Sequence, residues 1–339
     1  MKIELKKILN IEKVKENFKR YSSSRILVIG DIILDHFIFG DVERISPEAP
    51  VPVIEVKKEY FTLGGAGNVT LNIKNMNGNV FLVSSIGKDG NGKILKELIE
   101  KEKIEYFLIE RDIPTIIKTR VIARTQQIVR IDKEEIKNLN KKEIKNLKEI
   151  ISEKVKEIES IVVSDYGKGF ISKEIMYFLK KFNKRVIVDP KPEHFPFYKN
   201  VFCITPNKIE AHLGIGKIKI KNFNDIIRVG EEIIKKLKCE NLLITLGKDG
   251  MVLYQNNKNI YHIPSVAKDV YDVTGAGDTV CGIFSLCLSV NNDVLISALI
   301  SNFAAGIVVG KIGTATTNQK EFIDFFEKNY ENFYIERIK

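Results

Sequence analysis

Short apolar runs punctuate the chain: RILVIG at 25–30, VFLVSSI at 80–86, SIVVS at 160–164, RVIVD at 185–189 and NLLITL at 241–246. Rich in Val, Ile and Leu without polar alternation, they have the pattern of strands covered on both faces in a parallel sheet. Between them, apolar residues recur at helical spacing over residues 68–76, 93–101, 141–158, 174–182 and 225–237. Strand and helix alternating in this way predict an α/β fold, a doubly wound and mostly parallel sheet. Two stretches break the rhythm: PVPVIEV at 50–56, and TIIKTRVIAR at 115–124 continued by QIVRI at 127–131. These strands without helices predict a small β lid or dimer surface, drawn from about residues 36–60 and 114–132. Residues 1–24 read as a Lys-rich helical extension with Ile8, Ile11, Val14 and Phe18 near one face. The main domain is expected over 25–325, with 326–339 as a C-terminal tail.

Composition narrows the classes. Hydrophobic residues at 44% and charged residues at 29% are the balance of a folded globular chain with a sizeable core. No apolar run reaches the ~18 residues that a membrane span needs, and the N-terminus has no apolar signal region; a cytoplasmic protein with no membrane partner is expected. The net charge of +10 raises the question of nucleic acid. The basic residues are interleaved with Glu, as over residues 141–149, which reads as a solvated face with no nucleic-acid partner. The 4 cysteines form no CxxC pair and lie in apolar surroundings, so they read as buried thiols.

Candidate chemistry sits in the glycine-rich segments. GKDGNGK at 87–93 fits a phosphate-binding loop, but Ile94 stands where Ser or Thr would ligate Mg2+, so the segment reads as a turn capping a helix. LGGAGN at 63–68 lacks dinucleotide-binding spacing and follows no clear buried strand. Adjacent glycines still let a ligand approach the backbone, which leaves Gly64, Gly65 and Asn68 open as contacts to a polar small molecule or as ordinary loop residues. DVTGAGDT at 272–279 runs straight into an apolar helical stretch. The N–H groups of Gly275, Ala276, Gly277 and Asp278 would stand unpaired at the positive end of that helix and form an anion hole. An aspartate there suits phosphoryl transfer, Asp278 taking the proton of an attacking hydroxyl. The alternative is an ordinary acidic first turn.

Taken in order, Gly30-Asp31 with Asp35, GGAGN at 64–68, NKIE at 207–210 and DVTGAGDT at 272–279 resemble the ribokinase-type (PfkB) family of sugar kinases, over roughly residues 25–317. GDVERISPEAPVPV at 40–53, KTRVIARTQQ at 118–127, SDYGKG at 164–169, VDPKP at 188–192 and GKIGTAT at 310–316 are similar to that family's heptose-7-phosphate kinases. The resemblance implies a ribokinase-like fold and ATP with Mg2+ as cofactors, and leaves a monovalent cation open. It implies Asp278 as the base and Gly275, Ala276 and Gly277 as the anion hole. Asn207, Lys208, Ile209 and Glu210 would face ATP, with Glu210 holding Mg2+ through water; a helix capping box is the competing reading. Thr245, Gly247 and Gly250 would line the nucleotide cleft, unless they only form a tight hairpin turn, and Asn302 would lie near the adenine. Asp31 and Asp35 would accept sugar hydroxyls, and a substrate phosphate would find cations among Arg120, Arg124, Arg130, Lys168 and Lys191.

The implied reaction is phosphorylation of O1 of D-glycero-β-D-manno-heptose 7-phosphate to the 1,7-bisphosphate, toward the ADP-heptose of lipopolysaccharide core. Another sugar kinase of the family (ribokinase, fructokinase or phosphofructokinase-like) is the alternative. A homodimer through the lid strands is expected by the same resemblance. A two-domain form of the family adds a nucleotidyl-transferring half signed by H-x-G-H; this sequence has no such motif, so a separate adenylyltransferase acting downstream is expected.

Overall fold

The computed structural model describes residues 1–124, 126–216, 218–256, 258–267, 270–291 and 293–339. In chain order its elements are β1 (Lys2–Glu4), α1 (Ile11–Tyr21), β2 (Arg25–Gly30), β3 (Ile32–Ile45), β4 (Pro52–Gly65), α2 (Ala66–Asn75), β5 (Asn79–Gly87), α3 (Gly90–Lys101), β6 (Glu105–Arg111), β7 (Ile117–Ala123) and β8 (Gln126–Lys133). There follow α4 (Lys141–Lys154), β9 (Ser160–Ser164), α5 (Lys173–Leu179), β10 (Arg185–Asp189), β11 (Cys203–Ile204), α6 (Lys208–Ile215), α7 (Phe223–Leu237), β12 (Asn241–Thr245), β13 (Met251–Gln255), β14 (Asn259–Ile263), α8 (Ala276–Asn291), α9 (Val294–Val308), α10 (Gln319–Asn329) and β15 (Tyr334–Arg337).

Among the described residues the main sheet has 11 strands in the order β1-β15-β14-β13-β12-β11-β10-β9-β2-β5-β6. From β12 to β6 every pairing is parallel. The period of two in each strand divides its side chains between two helical layers. Ile26 and Val28 of β2 belong to one core, shared with residues of α1, α2, α3, α8, α9 and α10, while Leu27 and Ile29 belong to the other, shared with residues of α4, α5, α6 and α7. This is why the predicted runs show no polar alternation. All four cysteines are free and buried in these layers. Among the described residues no helix is long and apolar enough to cross a membrane.

The chain ends depart from expectation. Residues 1–24 and 326–339 meet each other: Lys2–Glu4 pairs antiparallel with Tyr334–Arg337 on the main sheet. Val14, Phe18 and Tyr21 of α1 are buried in the same core as α8 and α10, with the Phe18 and Phe322 rings 5.2 Å apart. Burying that apolar stripe is what binds the segment to the domain. Helices predicted over 141–158 and 174–182 are also shorter, ending at Lys154 and Leu179.

A separate sheet in the order β4-β3-β7-β8 forms the predicted lid. The sequence pattern marks only the first half of β4, yet the strand runs unbroken from Pro52 to Gly65 and delivers the chain directly into α2. Cross-strand partners share a face of a sheet, so register fixes what the lid presents. Asp35, Lys118 and Asp132 lie in one row, and Phe37, Arg120 and Arg130 in the next row of the same face. Asp35 and Arg120 are buried, so this face is turned inward.

Candidate active site

The candidate residues gather at the C-terminal ends of β2, β9 and β10, where ligands bind in open parallel sheets, beneath the inner face of the lid. Asp278 opens α8. It is 4% exposed, yet its neighbours are polar: Asn68 Nδ2 donates to Oδ2 at 2.8 Å and the Tyr166 hydroxyl donates to Oδ1 at 2.8 Å. Burial pushes the Asp278 carboxyl up from 3.8 to about 7. Its two hydrogen bonds and the Lys118 ammonium pull downward, and the Asp35 charge adds to the rise. The backbone on the approach to α8 is pinned by Asp272, which accepts from Thr274 N and Oγ1 and from Gly313 N. Gly275 has φ +78°, and a Cβ there would come 2.5 Å from Asn68 Nδ2, so only glycine lets Asn68 reach the aspartate.

One of the N–H groups expected to form an anion hole is engaged. Ala276 N–H donates to Val273 O at 3.2 Å, because the tight turn before α8 closes on itself. Among the described residues no acceptor faces the N–H groups of Gly275, Gly277 or Asp278. Gly277 is exposed, with no atom within 4 Å of where its Cβ would be. Open space therefore lies in front of the helix's positive end, next to an aspartate.

The two aspartates expected to meet a sugar differ in what they already hold. Asp31 accepts three backbone N–H groups, from Tyr166 and Lys168 on Oδ2 and from Phe170 on Oδ1. It anchors the loop after β9, the loop that carries Tyr166 to Asp278. Burial and the Asp165 charge push its pKa up to about 6 against those donors. Asp35 pairs through Oδ1 with Arg120 Nη1 at 2.6 Å, and no hydrogen bond among the described residues engages Oδ2. A Cβ at position 64 would sit 2.2 Å from that Oδ2, so Gly64 clears the space that Asp35 occupies. Gly65, at φ +57°, makes the turn into α2. Asn68 is entirely buried and reaches Asp278 instead of open space, so it supports the candidate base and offers no free group to a ligand.

Asn207 and Glu210 form the capping box of α6: Asn207 Oδ1 accepts from Ile209 and Glu210 N–H, and Glu210 Oε2 accepts from Asn207 N–H. Asn207, Lys208 and Ile209 are exposed. Burial raises the Glu210 pKa, while Asn207 and Lys191 lower it. Asp189, at the end of β10, is pushed well above the usual carboxylate range by burial and by the charges on Glu210, Asp278 and Asp165. Among the described residues no three acidic, His or Cys side chains could hold a metal alone. Carboxylates whose charges act on Asp189 in this way still suit Mg2+, which binds through one or two carboxylates, with phosphates and water completing its shell. Thr245 ends β12 and bridges Asn207, and Gly247 (φ +61°) opens onto space free of neighbours within 4 Å. Gly250 forms the turn into β13, with a Cβ excluded by Ile263 O.

Some expected residues lie elsewhere or are already engaged. Arg124 is 80% exposed just past the end of β7, its Nε 4.0 Å from Asp41. Asn302 is buried and donates to Pro264 O at 2.9 Å, so its amide supports the backbone after β14. Lys191 lies along Gly167, 3.7 Å from Glu193, and its charge acts on Glu210. Arg130 pairs with Asp132, and Lys168 with Glu134. Tyr166, Lys118 and Asp189 escaped the sequence reading of the site. Each lies inside a string noted for its similarity to the heptose-phosphate kinases, but tyrosine and a strand-borne lysine carry no local spacing signal. Asp89, by contrast, does what the first glycine segment suggested: it caps α3, accepting from Gly92 N–H at 2.9 Å.

The family model described as pfkB family carbohydrate kinase matches residues 23–321. A protein named bifunctional protein HldE from a Nitratiruptor species is 39% identical over 302 residues, 89% of this chain and 64% of that protein. Proteins of the same name from Helicobacter hepaticus and Aliarcobacter butzleri are 38% and 40% identical over 93% of this chain, and 66% and 67% of their own lengths. The chain thus spans about two thirds of the length of these relatives. Among solved structures, phosphofructokinase-2 from Escherichia coli superimposes with a TM-score of 0.76 at 20% identity, covering 90% of this chain and 99% of that one. A possible 1-phosphofructokinase from Thermotoga maritima gives 0.78 at 15% identity, covering 93% and 100%. At those identities the likeness shows the fold.

Proposed function

The chain belongs to the pfkB family of carbohydrate kinases and transfers a phosphoryl group to a sugar hydroxyl; from that premise we propose that it phosphorylates O1 of D-glycero-β-D-manno-heptose 7-phosphate with ATP. The observation that carries the reading is the Asp278 carboxylate, held by Asn68 and Tyr166 next to the open N-terminal turn of α8. In this reading Asp278 takes the proton of O1 as the oxygen attacks the γ-phosphorus, whose bond to the β–γ bridging oxygen breaks to release ADP. The N–H groups of Gly277 and Asp278 face the charge on the group in flight. Asp35 Oδ2 accepts a sugar hydroxyl. Glu210 and Asp189 would hold Mg2+, which supplies charge neutralisation at the ATP phosphates, and Thr245, Gly247 and Gly250 would border the nucleotide.

The heptose assignment is supported by the strings at 40–53, 118–127, 164–169, 188–192 and 310–316 and by the relatives named HldE. The product, a 1,7-bisphosphate, would need an adenylyl-transferring activity to reach an ADP-sugar. We further propose that a second copy of the chain covers the outer face of the lid, where Val129 and Ile131 are 44% and 55% exposed.

The test is ADP release with ATP against a panel of D-glycero-β-D-manno-heptose 7-phosphate, ribose, fructose and fructose phosphates. The heptose phosphate is expected to give the highest kcat/KM. Preference for an unphosphorylated pentose or hexose sinks the assignment.

A further inference from the structure

The inward face of the lid carries more charge than the reaction above uses, and almost all of it is paired. Arg120 is committed to Asp35 at 2.6 Å, Arg130 to Asp132 at 2.9 and 3.1 Å, and Lys168, from the loop after β9, to Glu134 at 2.6 Å. Lys118 stands in the same row as Asp35 and Asp132, yet among the described residues its ammonium makes no hydrogen bond and no ion pair. It is half-buried, and its Nζ lies 5.4 Å from the centroid of the Tyr166 ring, the ring whose hydroxyl holds Asp278. Removing an ammonium from water without a direct partner is costly. The surroundings only partly offset that cost: Asp35 and Asp132 attract it, whereas Lys168 and Arg130 repel it.

A cation held in reserve among paired charges, beside the candidate base, is a place prepared for an anion. The transferred phosphoryl group already has the N-terminal turn of α8; Lys118 belongs to the lid row of Asp35, the sugar's side. We propose that Lys118 binds the phosphate that the sugar substrate already carries, and so selects sugar phosphates over free sugars; this rests on the sugar-phosphate reading above. The arriving phosphate gives the ammonium the charge-assisted partner it lacks, and the row Asp35–Lys118 then grips hydroxyl and phosphate of one molecule from one strand pair. Neither Arg124 nor Lys191 is needed for this.

The panel assay on wild-type protein comes first, and failure there with every sugar phosphate ends the substrate reading independently of Lys118. With an active sugar phosphate in hand, Lys118→Met keeps the apolar stem and removes the charge. The expected result is a fall of roughly 10- to 100-fold in the ratio of kcat/KM for the phosphorylated sugar to that for its unphosphorylated counterpart. It is carried by KM, and inorganic phosphate weakens in parallel as a competitive inhibitor against the sugar phosphate. Lys118→Arg should restore most of the ratio. An unchanged ratio overturns the inference, as does an equal loss of kcat with both sugars, which would place Lys118 on the migrating group. Should the Met variant not fold, Lys118→Gln, which keeps a polar end, is read in the same way.

Discussion

Asp278 owes its properties to burial and to two neutral donors, and this gives a pair of opposite expectations for its replacement. Asn in its place can still accept from Asn68 and donate to the Tyr166 hydroxyl, which is able to accept, so both hydrogen bonds survive. Turnover should fall by roughly 10²- to 10⁴-fold, because the amide takes no proton. Stability should move the other way. The folded-state pKa, about 7, lies above the ordinary 3.8, so the folded ligand-free protein binds the proton more tightly than the unfolded chain does. Stability from this group is therefore fully present below about pH 4 and lost as pH rises through about 7. Asp278→Asn does not titrate, and at pH 8 it should be more stable than wild type by on the order of a few kcal/mol, the gap closing toward pH 4. Urea unfolding of both proteins at pH 4.5 and pH 8 checks this; a difference that does not change with pH would show that the carboxylate is ionised at little cost. At this scale the sequence singles out the aspartate as a candidate, by its place beside glycines at a helix start, with an ordinary acidic first turn as the alternative. Its supports were not legible. Asn68 lies 210 positions and Tyr166 112 positions away in sequence, and only the packing of α2 and the β9 loop against α8 brings them together.

At the scale of elements, the first turn of α8 can be tested apart from the residue it presents. Gly277 has an ordinary helical backbone, outside the positive-φ set, and its Cβ direction is empty to 4 Å. Gly277→Ala should leave the thermal midpoint equal or slightly higher, since Ala is the better helix former by up to about 1 kcal/mol. Its methyl group stands where a phosphoryl group would meet the amides, so turnover should drop roughly tenfold or more. A variant that is stable and fully active removes the helix start from phosphate binding. The elements themselves were legible in proportion to their burial. β2, β9, β10 and β12 are covered on both faces and read as unbroken apolar runs. β3 was absorbed into the lid range with no strand of its own, because Asp35, His36, Asp41 and Glu43 interrupt its pattern; the lid is charged on its inner face and half-exposed on its outer one. β1, β6, β11 and β13 to β15 have no strand in the sequence reading: β1 and β11 are only three and two residues long, and β1 and β15 pair with each other only through contact between the two chain ends.

For the whole molecule, the lid poses the remaining structural question, since a sheet needs something on both of its faces. The inner face has the charged rows described above. The outer face holds Ile38, Val121 and Val129 in one row and His36, Thr119 and Ile131 in the next, as register requires. All of β8 is exposed along its length, and it is an edge strand. Soluble proteins do not leave an apolar sheet face and a free edge open without cost. A second copy of the same lid would cover both by symmetry, in the homodimer that the resemblance implies. Sedimentation of the wild-type protein should give the mass of two chains, and the double variant Val129→Asp, Ile131→Lys should give one. Activity should follow assembly through sugar binding: β8 carries the Asp132 that fixes Arg130, next to the row of Lys118 and Asp35. Loosening β8 therefore raises KM for the sugar phosphate while leaving KM for ATP, which the proposed reading places against Thr245, Gly247 and Gly250, close to its wild-type value. A wild-type protein that sediments as one chain at micromolar concentration would rule out the lid dimer and leave the outer face exposed in solution.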